Sequence, residues 1–295
     1  MSIPPPPTPY EQACEYLSSS DKLYAGIWVP TDIVFPDATP TITARVPILA
    51  ATSVTTCSSW ENVVLPGCTC NTVPAPVVTP NPSGIRLMGI GFGRQPDGQP
   101  QGNPDKNPIL NVVRIGTLDL VPTSSFRNGH IITRTGIDVG LTAANMARFA
   151  AKTIELERPP VWSDPRDWLP VPACITAGSG TCFQGAGLID TGVNQSYMHT
   201  YDISPRPART TFPYLDAGVQ IHWKFGASAP YAVSEDITVG DASDIVNGIT
   251  PWKVSLWIHN VGTPRVPRVN TGRHLLRKWN VAFDAIGGHF AFALA

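Results

Sequence analysis

The chain has 295 residues, of which 42% are apolar and 15% are charged, against roughly 25% charged residues in an average soluble domain. The apolar content excludes a disordered chain. The net charge of −1 excludes a partner recognised mainly by charge, such as bulk nucleic acid or an anionic membrane. No apolar run reaches the roughly 18 residues that a membrane-spanning helix needs. Few charges combined with 31 prolines and 25 glycines predict an all-β protein with many turns.

The amino-terminal part is predicted to be an arm followed by strands. Residues 1–12 contain four consecutive prolines, which favour an extended polyproline II arm, and they lack the basic and apolar regions of a secretory signal peptide. Residues 13–35 predict a β-hairpin with a polar tip, LSSSDK, and residues 41–54 predict one or two further strands. A Pro-rich loop follows over 58–84, and it carries Cys68 and Cys70, with Cys57 directly before it.

The middle of the chain contains the one good helix pattern. Residues 142–156 have apolar side chains at helical spacing, and Thr142 is a suitable N-cap. The Pro- and Trp-rich stretch 159–172 is a candidate linker between two lobes.

The carboxy-terminal part is again predicted to consist mainly of strands. They are expected near 186–190, 218–225, 231–239 and 252–261. A helical turn at 273–279 leads to a final hairpin, in which Gly287 and Gly288 are predicted to form a type I′ turn.

The six cysteines favour disulfide bonds. Cys174 and Cys182 bracket a short Gly/Ser loop, so a bond between them is expected, with their Cα atoms less than roughly 7 Å apart. The other four are Cys14, Cys57, Cys68 and Cys70, whose three possible connectivities remain open. The C-x-C spacing and the lack of a paired histidine disfavour zinc, and no metal site is predicted.

The motif GLIDTG, residues 187–192, carries the clearest chemical signal. An apolar strand delivers Asp190, and the chain turns at once through Thr191 and Gly192. Glycine permits the sharp turn that exposes the carboxylate, and the threonine hydroxyl can fix the plane of that carboxylate. Taken alone, Asp-Thr-Gly is also an ordinary turn sequence.

Four segments, taken in order, resemble the pepsin-like aspartic peptidases in a divergent, bacterial-type form. EYLSSSDKLYAGIWVPTDIVF resembles the flap hairpin, LMGIGFGR a strand that crosses behind a catalytic loop, GLIDTG a catalytic loop, and the segment from Asn270 onward the closing part of the second lobe. The resemblance covers roughly residues 13–295. It implies an all-β, bilobal fold with an incomplete amino-terminal lobe over 13–158 and a carboxy-terminal lobe over 159–295.

The resemblance also implies roles for individual residues. Asp190, Thr191 and Gly192 correspond to the catalytic loop, and Gly91 and Gly272 to the glycines of the two crossing segments. The substrate-binding flap corresponds to Tyr16, Ser18 and Ser19, with Tyr24 as a competing candidate for the flap tyrosine. A strand aromatic packed on a sheet is an equal reading of Tyr16.

Three departures from the family pattern affect the predicted activity. The family uses two Asp-Thr/Ser-Gly loops and this sequence contains one, so we expect the chain to lack the first loop, which belongs before the flap. Asn270 and Thr271 stand where the family has apolar residues, and the flap tip is rich in serine rather than glycine. Because the mechanism needs one carboxyl group as base and another as acid, we expect this chain to be a poor peptidase or none.

The predicted function is therefore that of an aspartic endopeptidase homologue, inactive as this chain. The alternatives are a non-catalytic peptide- or ligand-binding protein on the same fold, and a non-proteolytic enzyme that uses Asp190 as a single acid or base. The expected partner is a peptide or protein substrate in the inter-lobe cleft, without nucleic acid, membrane or cofactor. The resemblance implies a secreted or periplasmic protein, although the sequence begins without a signal peptide.

Overall fold

A computed structural model describes most of the chain. The described residues are 10–17, 20–84, 88–90, 103–120, 126–160, 164–178, 182–201, 213–241, 253–259 and 266–295. They form an all-β protein with one short α-helix, as predicted.

The chain divides into two compact units. The first comprises Met1–Ser125 with Val161–Asp167, and the second comprises Phe126–Pro160 with Trp168–Ala295. The predicted boundary at 158/159 differs from this division. Residues 126–158 belong to the second unit because strand Arg127–Ile132 pairs with strand Trp279–Asp284, which is about 150 residues away in sequence.

The first unit is built on a long antiparallel hairpin. Its strands are β1 (Gln12–Leu17), β2 (Lys22–Phe35), β3 (Ile42–Thr56), β4 (Val63–Val64), β5 (Thr69–Cys70), β6 (Val78–Pro80), β7 (Val112–Ile115) and β8 (Leu118–Asp119). Within the described residues, one sheet has the order β1-β2-β3-β7-β8, with β6 also paired to β3, and β4 pairs with β5. The predicted hairpin over 13–35 is thus present as β1 and β2.

Two disulfide bonds hold one end of the first unit together. They join Cys14 to Cys68 and Cys57 to Cys70. These cysteines pack with Tyr16 and Leu23 in one apolar cluster. The cross-links therefore supply much of the core of this small sheet.

A buried ion pair fastens residues 164–167 to the same unit. The guanidinium of Arg166 donates to the Asp164 carboxylate at 2.7 Å, to Leu110 O at 2.7 Å and to Asn111 Oδ1 at 3.1 Å. Both charged side chains are almost fully buried, and these bonds offset the cost of removing them from water.

The second unit contains two sheets, one of five strands and one of seven. Its strands are β9 (Arg127–Ile132), β10 (Ile137–Leu141), β11 (Thr153–Glu155), β12 (Val171–Ala177), β13 (Phe183–Leu188), β14 (Ser196–Tyr201), β15 (Gln220–Phe225), β16 (Val233–Thr238), β17 (Val254–His259), β18 (Arg268–Asn270), β19 (Trp279–Asp284) and β20 (His289–Leu294). Within the described residues, the sheet orders are β10-β9-β19-β20-β11 and β16-β15-β12-β13-β18-β14-β17. The rings of Phe225 and Phe292 stack across the two sheets at 5.8 Å, and Trp279 Nε1 donates to the buried Glu235 at 3.1 Å.

The predicted helix over 142–156 is shorter in the structure. Helix α1 covers Ala143–Met146 and continues as a 3₁₀ helix over Ala147–Lys152. The Thr142 side chain caps it, as predicted, and forms a capping box with Asn145. The prediction was wrong beyond 152 because Ile154 pairs with Phe290 as part of strand β11, and β-branched residues favour strands.

The closing hairpin is present, but its turn differs from the prediction. Asp284 pairs with His289, so the loop has four residues rather than two, and of the two glycines only Gly288 has a positive φ, of 69°. The Asp284 carboxylate accepts hydrogen bonds from the backbone of Ile286 and Gly287, and this stabilises the longer turn.

In the part of the chain that the structure describes, no helix has the length and apolar character needed to cross a membrane.

Candidate functional site

The Asp-Thr-Gly loop lies where three strands of the seven-stranded sheet meet. Strand β18 lies between β13, to which it is parallel, and β14, to which it is antiparallel. Residues 189–195 connect the end of β13 to the start of β14 and so pass the carboxyl end of β18. Asn270, the last residue of β18, is therefore the cross-strand partner of both Leu188 and Tyr197.

Two hydrogen bonds hold the carboxylate of Asp190. The backbone N–H of Gly192 donates to Oδ1 at 2.9 Å, and Asn270 Nδ2 donates to Oδ2 at 2.9 Å. In the described part of the chain these donors, rather than the Thr191 hydroxyl that we expected, fix the plane of the carboxylate. A Cβ atom on Gly192 would lie 3.1 Å from Oδ1, so glycine also leaves room for this oxygen.

Gly272 lies directly against the same loop. Its φ is +56°, and a Cβ atom there would meet Gln195 O at 2.6 Å and Val193 O at 3.0 Å. Its N–H donates to Asn270 Oδ1 at 2.9 Å. The structure thus places Gly272 near Asp190, and Asn270 is hydrogen-bonded to both.

Thr271, the residue after β18, is hydrogen-bonded to both β13 and β14, the strands that flank β18. Its N–H donates to Leu188 O at 2.9 Å, and its carbonyl accepts from the Ser196 hydroxyl at 2.8 Å. Thr271 and Ser196 are completely buried. These bonds leave the loop little freedom, which is what a preorganised site requires.

Asn270 is the site residue whose role the sequence did not reveal. In the sequence, Asn270 and Thr271 stand out only as departures from an apolar pattern. The available signal was a polar side chain two residues before a glycine and directly before a threonine that is buried in the structure. Such a residue generally has a hydrogen-bond partner.

Tyr16 occupies a different environment from the one expected of a flap residue. Its side chain is only 4% exposed and packs among the cysteines of the first unit. Its hydroxyl donates to Asp21 at 3.0 Å. Burial, together with this bond to a carboxylate, raises the pKa of Tyr16 to about 12. These features match the packed-aromatic reading of Tyr16. Ser18, Ser19 and Gly91 lie outside the described residues.

The predicted bond between Cys174 and Cys182 is present, with the Cα atoms 5.5 Å apart. It belongs to the second unit and closes the loop between β12 and β13, the strand that leads to Asp190. The structure therefore contains three disulfide bonds, all within the units, and the described residues hold no free cysteine.

The arrangement at Asp190 can accept hydrogen bonds in a fixed direction. In the described part of the chain its carboxylate is bonded to an amide and to a backbone N–H, not to a second carboxyl group. Shared-proton chemistry between two acids is therefore not available from these bonds. No group of three or more metal-binding side chains comes together among the described residues.

Comparisons with known proteins give little further guidance. No protein-family model matches the sequence, and neither does any curated protein sequence. Among solved structures, the chain is similar to an aspartic proteinase from Irpex lacteus, with a TM-score of 0.40 and 9% identity, over 96% of this chain and 81% of that chain.

Proposed function

We propose that the chain is a divergent homologue of the pepsin-like aspartic peptidases and that Asp190 is one carboxylate of a peptide-hydrolysing site. The observation that carries this proposal is the geometry of the loop at Asp190. Strand β13 ends at Leu188, two residues before Asp190, and the Gly192 N–H donates to the carboxylate. The buried residue Thr271 is hydrogen-bonded to the strands on both sides of the loop. This is the local arrangement that an Asp-Thr-Gly catalytic loop requires.

Hydrolysis of a peptide bond needs more than this carboxylate. One carboxylate, acting as a base, activates the attacking water, and a second, protonated carboxyl group donates to the substrate carbonyl. In the described residues the Asp190 carboxylate is bonded to an amide and to a backbone N–H, and to no second carboxyl group. The chain by itself is therefore proposed to cleave peptides poorly or not at all.

A non-catalytic peptide-binding protein is the second candidate. The hydrogen bond from Asn270 favours it, because this neutral amide engages one of the two oxygens of the Asp190 carboxylate and cannot act as an acid. The three disulfides are compatible with a secreted or periplasmic location for either function.

The test compares three proteins: the wild-type chain, Asp190→Asn and Asp119→Asn. Asp119 is an exposed carboxylate of the first unit and serves as the matched control. Each protein is incubated with a reduced, alkylated and unfolded protein between pH 3.5 and pH 6, and fragments are followed by mass spectrometry. Retention of peptides from a random-sequence pool is measured in parallel.

We expect no fragments from any of the three proteins, and peptide retention by the wild type and Asp119→Asn but not by Asp190→Asn. Cleavage that requires Asp190 would mean that a second carboxylate reaches the site, and would reject the binding-only reading. Equal retention by wild type and Asp190→Asn would remove Asp190 from the function.

A further inference from the structure

One face of the sheet in the first unit is only partly covered. Three neighbouring strands present alternate residues on it: Gln12 and Cys14 of β1, Ala25 and Ile27 of β2, and Ser53 and Thr55 of β3. The apolar cluster of the four cysteines packs over the end of this face that carries Tyr16 and Leu23. The other end, with Gln12 and Ile27, lines an open cavity of about 490 Å³, which we call the cleft.

Both side walls of the cleft are held in place by the fold itself. One wall is formed by residues 67–70, which disulfide bonds tie to Cys14 on β1 and to Cys57 directly after β3. The other wall includes Val78 of β6, which pairs with Thr55 of β3. Because the walls are already ordered, binding has little loop entropy to offset, and the volume matches that of small-molecule sites.

The described residues that line the cleft carry no charge and combine apolar groups with hydroxyl groups. The hydroxyls of Ser53, Thr55 and Thr69 make no hydrogen bond to another described residue, although Thr55 is only 8% exposed. A polar group that is buried to this extent generally has a partner. These hydroxyls are therefore available to hydrogen-bond a ligand in the cleft.

The segment that supplies both walls is uncharged along its whole length. Residues 62–85 contain no acidic or basic side chain, and Val77, between two residues that line the cleft, is 84% exposed. Exposed apolar groups beside a preformed cavity are typical of a binding site.

This lining excludes two classes of ligand. A charged ligand would lose its hydration without meeting an opposite charge, which is costly. A pure hydrocarbon would cover the hydroxyls of Ser53 and Thr55 and leave them without a partner. An uncharged molecule that has both apolar and hydrogen-bonding groups avoids both costs.

We propose that the cleft binds an uncharged small molecule with an apolar frame and a hydroxyl or amide group. The frame packs on Ile27 and Val78, and the polar group hydrogen-bonds to Ser53 and Thr55. The inference goes beyond the proposed function, because the cleft belongs to the first unit and contains no residue of the Asp190 loop.

The first measurement titrates the isotope-labelled chain with three probes that share one frame: cyclohexylmethanol, cyclohexanecarboxylate and cyclohexylmethylammonium. We expect the alcohol to shift the backbone resonances of Gly26, Ser53 and Thr69, and to bind at least about 10-fold more tightly than either charged probe. NOEs from its ring protons to the methyl groups of Ile27 and Thr55 should place it in the cleft. Absence of saturable binding, equal binding of a charged probe, or NOEs only to residues outside the cleft would overturn the proposal.

The second measurement repeats the alcohol titration with three variants. Ser53→Phe fills the cleft and should abolish binding, whereas Ser234→Phe, at an exposed serine of strand β16, is the matched control and should bind as the wild type does. Thr55→Val keeps the shape of the side chain but removes its hydroxyl, so binding should weaken about 2- to 10-fold, the range of one neutral hydrogen bond. Unchanged binding by folded Ser53→Phe or by Thr55→Val would overturn the proposal, and the wild-type NOEs decide it if Ser53→Phe does not fold.

Discussion

His130 should make the second unit sensitive to acid. It lies on β9, is 3% exposed, and packs edge-to-face against Phe283 at 5.7 Å. Its Nδ1 has no hydrogen-bond partner among the described residues. Because burial disfavours the charged imidazolium, the pKa of His130 is lowered from 6.5 to about 4.

The size of the effect follows from the difference between folded and unfolded states. The unfolded chain takes up the proton near pH 6.5 and the folded chain only near pH 4. Above pH 6.5 the His130 ring is neutral in both states and costs no stability. As the pH falls below 6.5, protonation favours the unfolded chain, so the free energy of unfolding decreases until the folded chain is protonated as well. Linkage gives a loss of about 2 kcal/mol between pH 7 and pH 5, and about 3 kcal/mol by pH 4. This is a large fraction of the stability of an ordinary domain.

The assay is urea unfolding of wild type, His130→Leu and His222→Leu at pH 7, 6, 5 and 4, followed by circular dichroism. The comparison residue is His222, a partly exposed histidine of the same unit that bonds to the exposed Asp236 at 2.6 Å. Since carboxylates also contribute to acid unfolding, the informative quantity is the difference between the stability curves of the proteins. We expect His130→Leu to lose about 2 kcal/mol less than the wild type between pH 7 and pH 5. Parallel curves for wild type and His130→Leu would show that the pKa of His130 does not differ between the folded and unfolded chain.

Two further predictions concern the support of the Asp190 loop, and both are measured by urea unfolding. Gly272→Ala should destabilise the protein by at least about 2 kcal/mol, because an alanine is strained at positive φ and its Cβ would press on the Gln195 carbonyl. Gly218→Ala, which also has a positive φ but open space around the Cβ position, should cost less, and equal losses would contradict the proposed contact. Replacing Cys174 and Cys182 together by alanine should cost about 2.5 kcal/mol, the chain-entropy value for so short a loop. An unchanged urea midpoint would show that this bond does not stabilise the second unit.

The sequence predicted those parts of the candidate site that depend on local geometry. The strand before Asp190 and the turn through Gly192 are local features of the chain. The glycine at 272 was assigned from the family resemblance, and its close approach to the Gln195 carbonyl is a tertiary contact. The role of Asn270 could not be predicted in this way. It depends on a parallel pairing of β13 with β18 that brings together residues 80 positions apart. A single sequence does not reveal such a pairing.

The same distinction explains the errors elsewhere in the fold. The N-cap at Thr142 is a local signal and was correct, whereas the end of the helix is set by the pairing of Ile154 with Phe290 across the sheet. The final turn was predicted from its two glycines alone. The ring of Trp168 lies where a Cβ of Gly288 would be, at 2.4 Å, and this tertiary contact was not visible in the sequence.

The central claim is that a peptide binds at the carboxylate of Asp190. The most direct measurement is chemical-shift mapping of the ¹⁵N-labelled protein with a peptide recovered from the random-sequence pool. We expect the largest changes at the Gly192 backbone N–H and the Asn270 side-chain amide, and we expect them to vanish in Asp190→Asn. Changes that cluster elsewhere in the chain, or that persist in Asp190→Asn, would contradict it.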